Sequence, residues 1–170
     1  MRELNFRNIT LIALIFSCFM QIGGQFFALS VLVRTITEAP PRSFAILEGQ
    51  YPYDSSGFWS TVPPVTAGLF IAALIANWKT QRRLLLLGSL ALFVFGGLIA
   101  GLVLEPEFAK MVATPYSDTV DLALQNRAAR WYYLDWATWG VGAMCGLALL
   151  LALARPDRPK VARRPNGTAE

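Results

Sequence analysis

Residues 84–104 read LLLLGSLALFVFGGLIAGLVL, an uncharged run of 21 residues in which Ser89 is the one polar side chain. A helix needs about 20 apolar residues to cross the hydrocarbon core of a bilayer. Three further apolar runs flank this one, and the four predicted spans cover residues 8–33, 61–78, 84–104 and 132–154. The sequence therefore predicts an all-α fold, an antiparallel four-helix transmembrane bundle within residues 1–155.

The overall composition agrees with a protein that lies mostly in lipid. Hydrophobic residues make up 55% of the 170 residues and charged residues 15%, whereas a soluble domain has about 45–50% and about 25%. A single membrane domain is the prediction. The proline-rich and polar end of the chain, residues 156–170, is predicted to be a disordered cytoplasmic tail.

Basic residues are distributed unevenly between the predicted loops. The N-terminus, the short link between spans two and three, and the tail hold ten of the 15 Lys and Arg residues, whereas the two long loops are net negative. Because basic loops stay cytoplasmic, both termini are predicted in the cytoplasm and the two long loops are predicted to form an extracytoplasmic cap. The net charge of +4 is explained by orientation, so no nucleic acid is expected as a partner.

Local signals predict where the helices begin. Ser60 or Thr61 can cap the second span, with Pro63 or Pro64 in its first turn. A capping residue and acidic side chains precede the last span, and no Gly or Pro interrupts it until Gly140. This pattern predicts one helix from about Asp118 to Leu153 that protrudes from the bilayer.

Small residues recur four positions apart in the apolar runs, a spacing that lets helices approach closely. Gly97 and Gly101 form such a pair in span three, and Gly142 and Gly146 form another in span four. The prediction is that both pairs pack within this chain.

Residues that hold metals and cofactors are scarce. The chain has no histidine and two cysteines, Cys18 and Cys145, which fall inside predicted spans at similar depth. Histidine is the commonest metal ligand, and no pair of cysteines has metal-site spacing. No metal site and no cofactor are expected, and the cysteines are interpreted as buried apolar side chains.

Gln21 and Gln25 lie one helical turn apart within span one. An amide buried in lipid needs a hydrogen-bonding partner. They are interpreted either as interhelical hydrogen-bonding residues or as the lining of a polar ligand pocket.

Asp135 is the single Asp, Glu, Lys or Arg residue within the four predicted spans. Acidic residues in a span mark functional sites by default, yet this one lies near the span's outer end, where a helix-end charge is also tolerated. It is the one candidate catalytic residue. Arg130 or Arg127, one to two turns earlier, could pair with it.

Aromatic residues surround Asp135 in the stretch WYYLDWATW, residues 131–139. Amphipathic rings of this kind anchor helices at the headgroup level. Trp136 and Trp139 lie three positions apart and share a helix face, which could also hold a flat apolar ligand.

The residues 24–28 (GQFFA), the pair Pro63-Pro64, and the stretch 126–131 (NRAARW) leading to Trp136 resemble the small four-span membrane proteins grouped with anthrone oxygenases. Most bacterial members of that family are uncharacterised. The resemblance implies a multi-pass protein of the bacterial cytoplasmic membrane. It also implies cofactor-independent oxygenation of an anthrone, for which Asp135 would be the base.

Three functional hypotheses remain open from the sequence. The leading one is a non-enzymatic membrane protein that binds a hydrophobic small molecule in its outer half, through Gln21, Gln25, Arg130, Trp136 and Trp139. The second is a cofactor-independent oxygenase of anthrone type. The third is an accessory subunit that uses an apolar helix face to bind a membrane-protein partner or a second copy of itself.

Overall fold

The computed structural model describes residues 5–156 and contains four long helices. They are α1 (Phe6–Glu38), α2 (Ser56–Asn77), α3 (Arg83–Val112) and α4 (Leu122–Ala154), and all four are long and apolar enough to cross a membrane. A short 3₁₀ helix, Arg42–Leu47, lies between α1 and α2. No β-strand occurs among the described residues, so the predicted all-α class is confirmed. The predicted disordered tail falls, from residue 157 onward, outside the described part.

Helices α1 and α4 are each 33 residues long, or about 50 Å at 1.5 Å per residue. That length exceeds the bilayer core of about 30 Å. Helix α1 continues beyond the apolar run through a π-helical segment, Ala28–Val33, and a last α-helical segment, Arg34–Glu38. It ends directly before Pro40-Pro41, because proline lacks the backbone donor that a helix needs. The end of α1 was therefore set by proline and not by the loss of hydrophobicity.

Helix α2 begins earlier than predicted. Its first residue is Ser56, so Pro63 and Pro64 lie inside the helix and not in its first turn. The Asp54 carboxylate accepts hydrogen bonds from the Ser56 backbone N–H at 2.8 Å and from its hydroxyl at 3.0 Å. These bonds fix the helix start seven residues before the first proline. Helices in membrane proteins tolerate interior proline because neighbouring groups satisfy the freed carbonyls.

Helix α4 begins later than predicted, at Leu122 and not near Asp118. The Asp121 side chain caps it by accepting from the N–H groups of Ala123 and Leu124 at 2.8 and 3.1 Å. The Ser117 hydroxyl instead accepts from the Thr119 N–H within a local turn. Ser117 was the predicted capping residue, and Asp121, which lies nearer the apolar residues, occupies the cap instead.

One hydrophobic core joins all four helices. Its buried members are Leu11, Leu14 and Cys18 of α1, Phe70 and Ala73 of α2, Leu86 of α3, and Cys145, Leu149 and Ala152 of α4. Every one of the four long helices therefore contributes to this core.

A second, smaller core lies where the long loops meet the helix ends. This loop-end cluster consists of Ile36, Phe44, Met111, Leu124 and Ala128. The Asp121 N–H donates to the Pro40 carbonyl at 3.0 Å, and the Trp131 indole donates to the Leu104 carbonyl at 2.8 Å. The first bond holds the loop after α1 against the start of α4, and the second holds α3 against α4.

The two glycine pairs behave differently. A Cβ at Gly146 would lie 2.9 Å from Ile22 and 3.3 Å from Phe19, so this glycine permits close contact between α4 and α1, as predicted. The prediction is wrong for Gly97 and Gly101, which have no neighbouring atom within 4 Å of a built Cβ. Helix α3 is rotated so that Gly96, and not its neighbour, faces α4.

Candidate functional site

Three side chains form a polar cluster between α1 and α4: Gln25, Asp135 and Thr138. The Gln25 amide donates to Asp135 Oδ1 at 2.8 Å and lies 3.3 Å from the Thr138 hydroxyl. The Thr138 hydroxyl donates to the Asp135 carbonyl at 2.7 Å. Residues 135 and 138 are one turn apart on α4, so the helix itself brings the carboxyl and the hydroxyl to one side.

One carboxyl oxygen of Asp135 is open. Among residues 5–156, Oδ1 receives the Gln25 amide and lies 3.2 Å from Thr138 Oγ1, and no side chain bonds Oδ2. Gln25 and Asp135 are both partly exposed, so the cluster reaches the protein surface between the two helices. A hydrogen-bonding group of a ligand can therefore approach Oδ2.

Four rings of the same two helices contact one another and are called the aromatic wall: Phe26, Tyr132, Trp136 and Trp139. Phe26 of α1 lies 5.9 Å from Trp136 and 5.7 Å from Trp139, measured between ring centroids. The Trp139 indole donates to the Ile22 carbonyl at 3.1 Å, which fixes the orientation of its ring. Phe26 remains 48% exposed. The wall thus offers apolar ring surface on the two helices that carry the polar cluster.

Gln21 has a different partner from Gln25. Its amide donates to the Thr66 hydroxyl of α2, which lies 2.7 Å from the Ser17 hydroxyl. Thr66 is fully buried. Gln21 therefore joins α1 to α2, whereas Gln25 joins α1 to α4, and the two amides do not meet in one site.

Neither candidate arginine contacts Asp135. Arg127 forms an ion pair with Glu107 of α3, and Arg130 is exposed. Within the described chain, Asp135 has no cationic partner. The expected pairing is wrong because residues 127 and 130 lie on α4 beside the loop-end cluster, where α3 supplies the acidic group.

The two cysteines are neighbours. Their sulfur atoms are 3.9 Å apart in the main core, and the Cys145 thiol lies 3.3 Å from the Ser89 carbonyl oxygen. Both thiols are free. Among residues 5–156, no group of three or more metal-ligating side chains is positioned to hold a metal ion.

Arg82 is the residue that sequence reasoning missed. It was grouped with the basic residues of the short link, yet it is 1% exposed. Its guanidinium donates to Asn8 Oδ1 at 2.8 Å and to the Arg155 carbonyl at 2.9 and 3.1 Å. It thereby ties the start of α1 and the end of α4 to the α2–α3 link. Nothing in the local sequence separates it from exposed Lys79.

A groove lies on the side of α1 that faces α2. It has a volume of about 330 Å³ and is lined by Gly24, Phe27 and Ala28 of α1 and by residues 53–55 and 57–59. Gly24 makes room for the Phe58 ring, which would lie 2.9 Å from a built Cβ. The polar cluster does not line this groove.

Comparison of the chain with models of known protein families, with curated proteins and with solved structures gave no match.

Proposed function

We propose that the chain is a multi-pass membrane protein that binds a hydrophobic small molecule through the polar cluster and the aromatic wall. The open Oδ2 of Asp135 carries this proposal. A buried or lipid-facing carboxyl oxygen without a partner is costly, and a ligand hydroxyl or N–H group would satisfy it. The adjoining rings would hold a flat apolar skeleton.

The proposed arrangement in the membrane is an antiparallel bundle with an extracytoplasmic cap. Contacts of Arg82 support it, because they gather Asn8, the α2–α3 link and the end of α4 at one end of the molecule. The loop-end cluster, at the other end, would be the cap. The excess of basic residues near Arg82 favours the cytoplasm for that end.

Labelling of introduced cysteines tests this orientation. In a chain without Cys18 and Cys145, a cysteine placed at Tyr51 or Tyr116 should react with a membrane-impermeant maleimide added outside intact cells. A cysteine at Gln81 should react only after the membrane is opened. The reverse pattern would contradict the proposed orientation.

Native mass spectrometry of gently extracted protein tests the proposed binding. We expect a reproducible organic compound bound to one chain. A protein partner instead would favour the accessory-subunit hypothesis, and a bare chain after several mild extractions would contradict the binding proposal.

A second candidate function is cofactor-independent oxygenation of an anthrone. The same Oδ2 favours it, because a free carboxylate on the helices that carry the aromatic wall could take a proton from the activated CH₂ of an anthrone. The resulting carbanion would react with O₂. Oxygen uptake with an anthrone should then be lost in Asp135→Asn and kept in Asp54→Asn. Uptake that is equal in both variants would contradict this role for Asp135.

A further inference from the structure

A larger groove lies near the start of α1 and the end of α2, on the Arg82 side of the molecule. It has a volume of about 510 Å³. Ile71, Ile75 and other apolar residues of α2 form its wall, and Trp78, Lys79 and Arg7 form one end. This volume is in the range of small-molecule and lipid sites, about 300–1,000 Å³.

The lining divides into an apolar part and a basic part. Ile71 and Ile75 are 60% and 73% exposed, so the wall offers apolar surface that lipid can cover. Arg7 from α1 and Lys79, two residues after the end of α2, bring two positive charges to one end, and among residues 5–156 no acidic side chain lines the groove. The charge pattern of the lining is therefore complementary to an amphiphile with an anionic head.

Trp78 lies between the two parts. The Arg83 guanidinium lies over its ring, 5.2 Å from the ring centroid, an arrangement that stabilises both side chains. Tryptophan prefers the headgroup level of a bilayer. Its position places the basic end of the groove where lipid phosphates lie and the isoleucine wall where acyl chains lie.

We propose that this groove binds an anionic phospholipid. Its phosphate lies between Lys79 and Arg7, and one acyl chain lies along Ile71 and Ile75. Basic pockets between membrane helices bind anionic headgroups by this combination of charge and apolar contact. The site is separate from the polar cluster and does not depend on the function proposed there.

Lipid competition measured by native mass spectrometry tests the proposal. Purified protein is incubated with equimolar phosphatidylglycerol and phosphatidylcholine of identical acyl chains, and the lipid retained by each chain is counted. We expect phosphatidylglycerol to be retained in clear excess. Lys79→Gln should reduce this preference by about five-fold, the effect of one lysine facing an anionic lipid.

Lys110→Gln is the matched control, because it removes the same charge from an exposed position on α3. It should leave the preference unchanged, and unaltered melting temperatures in lipid-free detergent would show that both variants fold. Equal retention of the two lipids by the wild type would overturn the proposal. So would an equal loss of preference in both variants, which would indicate attraction by net charge and not a site.

Discussion

Arg82 and Arg83 are adjacent in the sequence and have different roles in the structure. The Arg82 guanidinium is buried and donates to carbonyls at the end of α4, where a cation also complements the helix dipole. Arg83 lies over the Trp78 ring. The hydrophobic pattern predicts that this link is short and basic, but it carries no information on which arginine turns inward.

Replacing Arg82 should destabilise the fold. Arg82→Met leaves Asn8 and the last carbonyls of α4 without a donor, and we expect a loss of about 1–3 kcal/mol, the cost of unsatisfied buried polar groups. Chemical unfolding in one fixed detergent measures it. Arg83→Met is the control and should cost less, and equal losses would contradict the structural role of Arg82.

Asp54 should make the stability depend on pH. Hydrogen bonds from the backbone N–H and hydroxyl of Ser56 lower the pKa of the exposed Asp54 carboxyl, so the unfolded chain binds more protons at acidic pH. The stabilisation is fully present above the ordinary Asp pKa and is lost as the pH falls through the lowered one.

Melting of wild type and Asp54→Ala across this pH range tests the effect. The wild type should be more stable at neutral pH, and the difference should disappear in acid. Glu48→Ala, in the same loop, controls for general loss of charge. A difference that persists below the lowered pKa would contradict the link to Asp54 ionisation.

At the level of the helices, hydropathy was sufficient to predict the four long apolar helices and insufficient to predict their ends. Helix α1 continues through the charged segment Arg34–Glu38 because nothing before Pro40 stops it. Helix α2 contains the prolines that were expected to mark its start. The rotation of each helix about its axis was also not predictable, so Gln21 and Gln25 could not be assigned to different helix pairs.

Adjacent glycines in α1 test the packing of α1 against α2. A Cβ at Gly24 would meet the Phe58 ring, whereas a Cβ at Gly23 would meet nothing within 4 Å. Gly24→Val should therefore cost about 1–3 kcal/mol more than Gly23→Val, the usual cost of overpacking. Unfolding in detergent compares the stabilities of the two variants. Equal stabilities would contradict the close contact between Gly24 and the Phe58 ring.

For the whole molecule, the pairing of α1 with α4 connects the core to the candidate site. Cys18 and Cys145 lie in the core with their sulfurs 3.9 Å apart, and Gln25 and Asp135 lie further along the same two helices. The sequence predicted that the cysteines share a depth, but not that they are neighbours, because depth does not determine which helices adjoin.

A membrane-permeable oxidant should therefore join Cys18 to Cys145. The sulfurs need to approach to about 2.05 Å to form a disulfide. Alkylation after denaturation measures the result: oxidised wild type should take up no label until it is reduced. Cys18→Ser should keep one reactive thiol throughout, and full labelling of the oxidised wild type would contradict the close pairing.

The central claim is that Asp135 Oδ2 binds the ligand. Its most direct test is the amount of bound compound per chain, measured by liquid chromatography and mass spectrometry of wild type and Asp135→Asn purified from identical membranes. Asparagine keeps an acceptor for Gln25 but replaces Oδ2 by a donor. Occupancy should fall at least about five-fold, the effect of one lost hydrogen bond, and should be unchanged in Asp54→Asn. Equal occupancy in wild type and Asp135→Asn would contradict the claim.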